Sequence, residues 1–197
     1  MAQGLHRLLL LFVVVTFLAG VSFADDLVTN GGFETGDFTG WTLSGNAQCV
    51  NFALGCTDIA DFNAFSGTYA LEAGPIDQMG FVSQLLPTVP GQFYEVTFWL
   101  ANDPGGFQNC CPNQFLVSWG GTTIFNAVNL PNSQYTQYQF FLLANSSSTQ
   151  LQFGFMQNPQ FFYLDNVSVQ PVPEPGSLLL LGSGLAGLIA RKRKRRA

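Results

Sequence analysis

Apolar and polar residues alternate with a period of two along most of this chain, the spacing of half-buried β-strands rather than helices. Across residues 93–101, Tyr94, Val96, Phe98 and Leu100 share one face, and Glu95, Thr97 and Trp99 share the other. Phe115, Val117 and Trp119 alternate with Gln114, Leu116 and Ser118. Tyr138, Phe140 and Leu142 oppose Gln137, Gln139 and Phe141, while Leu151, Phe153 and Phe155 oppose Gln150, Gln152 and Gly154. Segments 69–73, 80–86, 122–128 and 161–169 bring the set to roughly eight strands. Turn formers separate them: Pro75, Pro90-Gly91, Pro104-Gly105-Gly106, Gly120-Gly121, Pro131-Asn132, Asn145-Ser146 and Asn158-Pro159. Many short strands so punctuated predict an all-β fold, a two-sheet antiparallel sandwich whose inner layers the 20 Phe residues can fill.

Both ends depart from this pattern. Residues 1–24 read as a signal peptide: His6 and Arg7, an apolar run over 8–18, then small residues at Ser22 and Ala24. An uncleaved N-terminal anchor is the alternative, disfavoured by the short run and by Asp25 and Asp26 directly after it. At the other end, Val172, Pro173, Glu174 and Pro175 precede an apolar stretch over 176–190 and six consecutive cations, Arg191 to Arg196. The stretch is about 15 residues, shorter than the ~20 of a full span, but flanking cations can extend its reach by snorkelling. The positive-inside rule leaves the β-rich part, residues 25–171, outside the cytoplasm.

Composition sharpens the picture. Between Asp25 and Pro175 there is no Lys, Arg or His, yet all 12 Asp and Glu lie there, a formal charge of about −12. Nucleic-acid binding needs cations and is excluded. Ser-His-Asp and Cys-His catalysis, Schiff-base chemistry and His-ligated metals are excluded as well. Paired-carboxylate glycoside hydrolysis is the surviving enzymatic option. No strand carries two acids on one outward face, and Glu72 and Glu95 are the only acids clearly inside strands, so no enzyme is expected. The four cysteines, Cys49, Cys56, Cys110 and Cys111, are even in number in an exported chain and favour two disulfides. Three connectivities are open; strain in a bond between neighbours favours Cys49 and Cys56 each reaching the Cys110-Cys111 pair, with a cysteine-held metal as the alternative.

Two resemblances add to this reading. The order Pro-Glu-Pro, short apolar helix and arginine-rich terminus over residues 172–197 resembles the PEP-CTERM sorting signal. That likeness implies processing near Pro173-Glu174-Pro175 by an exosortase, a transient membrane anchor before processing, and delivery to the cell surface, biofilm matrix or medium; an ordinary tail anchor is the alternative. In the middle, Asn30-Gly31-Gly32-Phe33-Glu34, Gly40-Trp41, Ser66-Gly67-Thr68-Tyr69-Ala70-Leu71, Pro90-Gly91-Gln92-Phe93-Tyr94 with Phe98-Trp99, and Leu164-Asp165-Asn166-Val167-Ser168-Val169 occur in that order. The set resembles the galactose-binding-like jelly roll of many carbohydrate-binding modules; another antiparallel sandwich is the alternative.

The second resemblance implies a structural Ca2+ where first and last strands meet, held by Glu34 and Asp165 with carbonyls of Ser66 and Gly67. The base-free surface adds a physical reason, since adjoining carboxylates have no internal cation to neutralise them, and calcium takes six to eight oxygens. Acceptance of backbone N–H bonds by Glu34 and Asp165 is the alternative, and Asp58 and Asp61 are further loop candidates. For a glycan, Trp99 offers a stacking surface and Gln114, Gln137, Gln139, Gln150 and Gln152 offer amides, all read as one outward face; a merely solvated polar face is the alternative. Trp41 and Trp119 read as core. The expected function is a non-catalytic surface or matrix protein that binds extracellular polysaccharide, or else an acidic coat protein that bridges calcium.

Overall fold

The computed structural model describes residues 25–47, 57–102, 112–157 and 160–173. The residues read as a signal peptide, the four cysteines, Glu174, Pro175 and the stretch expected to be a sorting helix lie outside the described residues. Residues 25–172 form one folded unit. Among the described residues no helix is long and apolar enough to cross a membrane.

Among the described residues, ten strands form two five-stranded sheets. They are β1 (Thr42–Gly45), β2 (Thr57–Ala60), β3 (Ala70–Ala73), β4 (Gly80–Pro87), β5 (Phe93–Asn102), β6 (Asn113–Trp119), β7 (Thr122–Val128), β8 (Ser133–Leu143), β9 (Ser148–Gln157) and β10 (Phe162–Pro171). Sheet 1 runs β1-β4-β9-β6-β7 and sheet 2 runs β2-β3-β10-β5-β8. Every pairing is antiparallel. This is the predicted all-β jelly-roll sandwich, with β1 and β2 added to the strands legible from alternation.

Alternation sets the core. Tyr94, Val96, Phe98 and Leu100 of β5 face Phe115 and Val117 of β6 and Leu151, Phe153 and Phe155 of β9. Ring contacts cross the gap between the sheets: Phe98 meets Phe153 edge-on at 5.1 Å and Phe115 at 5.8 Å. Trp41 and Trp119 are buried, as their patterns predict. Each indole N–H keeps a backbone acceptor, Asn30 O for Trp41 and Leu143 O for Trp119.

The Asn30–Glu34 turn bridges the first and last segments. Asn30 and Phe33 adopt positive φ, 55° and 57°. For a phenylalanine that conformation is costly, and full burial of its ring against Trp41 offsets it. The Gly31 carbonyl accepts Val167 N–H at 2.9 Å, and a Cβ on Gly31 would run into the Val167 carbonyl. The motif thus sets Glu34 beside the middle of β10, near Asp165.

Candidate functional site

The predicted glycan surface divides between the two sheets. Trp99, Gln137 and Gln139 lie on the outer face of sheet 2, because Trp99 pairs with Gln137 and Thr97 with Gln139. Gln114, Gln150 and Gln152 lie on the outer face of sheet 1. The six residues therefore do not share one surface. Alternation assigns each residue an inner or outer face, but only strand order says which sheet carries it.

On sheet 2, Trp99 is not an open platform. Phe65, from the loop after β2, stacks on it with ring centroids 3.9 Å apart and planes 14° from parallel. Tyr135 meets Phe65 edge-on at 5.5 Å, and its hydroxyl donates to Asn63 O at 2.7 Å. The Gln139 amide is committed to the Glu95 carboxylate. This face also carries a carboxylate pair that no single strand reveals, since Asp58 sits opposite Glu72 across β2 and β3. Burial pushes the Glu72 carboxyl up; the Tyr163 hydroxyl, donating at 2.8 Å, partly opposes this, and Asp58 adds to it.

The outer face of sheet 1 differs. Cross-strand pairing aligns Thr42, Ser83, Gln152, Ser118 and Thr123 in one row across all five strands. The next row is Ser44, Phe81, Gly154, Leu116 and Asn126. A polar row, in which Ser83 and Ser118 are themselves buried, therefore runs beside one that carries Phe81 and Leu116. That ring lies between two glycines: a Cβ on Gly154 would fall 2.9 Å from it, and one on Gly45 also 2.9 Å. Gln150 donates to Ser83 Oγ at 3.2 Å and Gln114 to Asn126 Oδ1 at 2.8 Å. No residue of the five strands is ionisable at neutral pH. Phe81 escapes sequence reasoning because residues 80–86 are apolar on both faces, and no single-strand pattern ranks Phe81 above Val82.

The predicted metal residues do converge. Asp165, fully buried, accepts N–H bonds from Phe65 at 2.9 Å and Ser66 at 3.1 Å on Oδ2, and from Asn166 at 2.6 Å on Oδ1. Glu34 accepts Thr68 N–H on both oxygens, at 3.0 and 3.1 Å, and Tyr69 N–H at 3.1 Å. Gly67, at φ 71°, lies against the Glu34 carboxylate, where a Cβ would collide with it. The two carboxylates thus clamp the 65–69 loop by its backbone, which is the role set against metal ligation above.

That clamp gives both Asp165 oxygens hydrogen-bond partners, yet the carboxyl stays raised. Burial pushes its carboxyl up, the N–H bonds from Ser66, Asn166 and Phe65 pull it back, and the Glu34 charge pushes it up again. Around the place where Gly32 lacks a Cβ stand Asn166 Oδ1 at 3.3 Å, Asp165 Oδ1 at 3.7 Å and Glu34 Cγ at 3.7 Å. One carboxylate oxygen and one amide oxygen border that space, beside a Glu34 methylene whose carboxylate turns to the 67–69 backbone, so a hard cation there would need further oxygens. Among the described residues no cluster of three or more His, Cys, Asp or Glu suits a metal, so the further donors would have to be amide and carbonyl oxygens. Asn166 and Gly32 belong to the motifs quoted above but were not singled out. Asp58 and Asp61 are not part of this cluster.

Comparison with known proteins bears on both parts of the chain. Residues 171–195 match the family model of the PEP-CTERM protein-sorting motif. No curated protein matches the chain in sequence. Among solved structures, a TmCBM61 module in complex with β-1,4-galactotriose is similar, with 19% identity and a TM-score of 0.54, over 76% of this chain and 100% of that one. The CBM22-1 xylan-binding domain of Xyn10C from Paenibacillus barcinonensis is similar too, with 18% identity and a TM-score of 0.52, over 77% of this chain and 97% of that one. At such identities the likeness establishes the fold: a β-sandwich of the kind found in carbohydrate-binding modules.

Proposed function

We propose that this chain is an exported surface or matrix protein, processed at its C-terminal motif by an exosortase, whose β-sandwich binds a neutral polysaccharide without catalysis. The observation that carries this reading is the outer face of sheet 1, where a hydroxyl and amide row lies beside a row that carries Phe81 and Leu116. Pyranose rings present an apolar C–H face and an equatorial rim of hydroxyls. A ring surface beside a polar stripe complements both at once. Five strands about 4.8 Å apart span roughly 19 Å, which suits a chain of several sugars rather than a single one.

Charge narrows the ligand class. A domain with about −11 formal charge and no cation repels uronate-rich or sulfated glycans, whereas the ion-free face of sheet 1 sets no charge against a neutral chain. The ligands named for the two similar modules, β-1,4-galactotriose and xylan, support a saccharide reading. The strands of this face carry no carboxylate, which supports a reading without glycoside hydrolysis there. A glycan array probed with the exported chain tests the proposal. It predicts retention on neutral β-linked polysaccharides; uniform silence, or binding confined to polyanions, would overturn it.

Calcium belongs to this reading as a structural partner. Glu34, Asp165 and Asn166 would hold it, with carbonyls of the adjoining loop, and it would supply the positive charge that the domain lacks. This role is supported by the Asn166 and Asp165 side-chain oxygens beside Gly32 and by the burial of the Asp165 carboxyl. Should the array stay silent while calcium stabilises the chain, the acidic coat-protein reading takes its place.

A further inference from the structure

Exposed apolar side chains gather at one end of the sandwich. Among the described residues these are Val89, 60% exposed, Phe93, 52%, Phe141, 60%, and Leu143, 40%. Phe93 pairs with Leu143 and Glu95 with Phe141, so Phe93, Phe141 and Leu143 share the outer face of sheet 2. Val89 sits in the turn between β4 and β5. That turn is tied to the one after β8: Gly91 N–H donates to Ala144 O at 2.8 Å, and Ala144 N–H to Gln92 O at 2.9 Å. Phe62 and Phe65 after β2, Leu85 on sheet 1 and Val128 at the end of β7 are exposed too, but away from this group. Scattered apolar residues need no explanation, whereas a cluster asks for an occupant.

The same end is where the chain leaves the fold. β10 stays paired with β5 as far as Pro171, opposite Tyr94. Val172 then donates its N–H to Phe93 O at 2.8 Å and accepts Gln92 Nε2 at 2.7 Å. The apolar stretch read above as a membrane anchor starts at Gly176, four positions on. Four extended residues reach ~14 Å at most, and the headgroup layer beside the hydrocarbon core takes up about 5–8 Å of that. A stretch of about 15 residues is also short of the ~20 of a full span, which draws its outer end toward the bilayer. An anchored, uncut chain therefore keeps Phe93 within reach of the lipid headgroups.

Charge selects the kind of surface. The acids at this end are Asp25, Asp26, which accepts Val169 N–H, and Glu95, and the domain has no cation to set beside them. Anionic headgroups are repelled by such an end, and zwitterionic ones are not.

We infer that, while the tail anchors the chain, Val89, Phe93, Phe141 and Leu143 rest in a zwitterionic lipid surface and fix how the sandwich stands on it. The inference depends on reading residues 176–190 as a membrane anchor. It leaves the outer face of sheet 1 uncovered for glycan. So small a patch binds weakly without its tether, so processing still frees the domain.

The test uses the exported chain, residues 25–197, reconstituted in phosphatidylcholine vesicles with plain or brominated acyl chains, in chelator. Phe141→Trp and Gln137→Trp each add one indole to the outer face of β8, the second ~13 Å farther from the apolar end. Both positions are exposed, so neither change disturbs the core. Trp41 and Trp119 are buried and Trp99 lies under Phe65, and the parent supplies their background. Brominated lipid should quench most of the emission that Phe141→Trp adds, and Gln137→Trp no more than the parent. Admixed phosphatidylglycerol should weaken that quenching. A chain that floats with the vesicles while Phe141→Trp stays unquenched overturns the inference and leaves the anchor standing. A chain that does not float overturns both. Quenching that strengthens with phosphatidylglycerol, or Phe141→Trp emission that shifts with protein concentration in detergent alone, would give the patch another occupant and overturn it as well.

Discussion

Phe65 lies flat on Trp99, ring centroids 3.9 Å apart, although 34 positions separate them in the chain. The backbone N–H of the same Phe65 is held by Asp165, which pairs across the sheet with Trp99. One loop thus closes over the tryptophan that sequence alone offers as a sugar platform, and the stack becomes part of the fold.

Substitution at that stack should therefore affect stability more than binding. Trp99→Ala is expected to cost about 2 kcal/mol, at or below the lower end for a large aromatic because the site is only partly buried. Phe65→Ala should cost about 1 kcal/mol, the worth of the ring contact. Retention on polysaccharide should stay within about twofold of the parent in both. Chemical denaturation and affinity electrophoresis on the same samples read the two effects separately.

Calcium should raise the thermal midpoint at neutral pH, and Gly32→Ala should remove that increment. The alanine Cβ would occupy the space between Asn166 Oδ1, Asp165 Oδ1 and Glu34. Gly32 has no positive φ, so the backbone accepts the change without strain. In chelator the variant should melt close to the parent. Calorimetry with and without calcium checks this; an unchanged calcium increment in Gly32→Ala would place the ion elsewhere.

Acid should stabilise the calcium-free domain over a limited window. The carboxyls of Asp165 and Glu72 are both pushed above their ordinary values of 3.8 and 4.5, chiefly by burial. A raised acid holds its proton more tightly folded than unfolded. Its contribution is complete below the ordinary value and fades as pH rises through the folded value. Asp37 runs the other way, lowered by its bonds with Thr39 and Thr35, and its stabilisation is lost only as pH falls below 3.8. In chelator the midpoint should thus rise as pH falls from neutral to 4.5, and Asp165→Asn should flatten the rise. A midpoint that falls steadily over that interval would contradict the buried-carboxyl account.

The platform on sheet 1 also depends on a residue without a side chain. A Cβ on Gly154 would fall 2.8 Å from Met79 Cε and 2.9 Å from the Phe81 ring. Gly154→Ala should displace that ring and weaken glycan retention by about tenfold, as expected when one well-placed contact is lost. Far-UV circular dichroism should remain that of the parent.

The fold was legible because burial imposes a period of two, and residues such as Val96, Phe98 and Phe153 obey it without exception. β1 and β2 were missed because four residues are too few to show alternation, and β1 is mostly exposed. The Glu34–Asp165 meeting was legible only through the ordered motifs, which encode the turn at Asn30 and Phe33. The glycan surface was misjoined for a topological reason. Gln137 and Gln152 carry the same signal in their own strands, yet β8 and β9 end in different sheets. Phe81 stood out only once Gly45 and Gly154 were seen on either side of it.

The most direct test of the account is the affinity of parent and Phe81→Ala chains for the neutral polysaccharide that the array selects, measured by isothermal titration. The account predicts a loss of tenfold or more, about 1.4 kcal/mol, with the far-UV spectrum of the parent, and near-parental affinity for Trp99→Ala. Full affinity in Phe81→Ala, with binding abolished in Trp99→Ala, would contradict it and move the ligand to sheet 2.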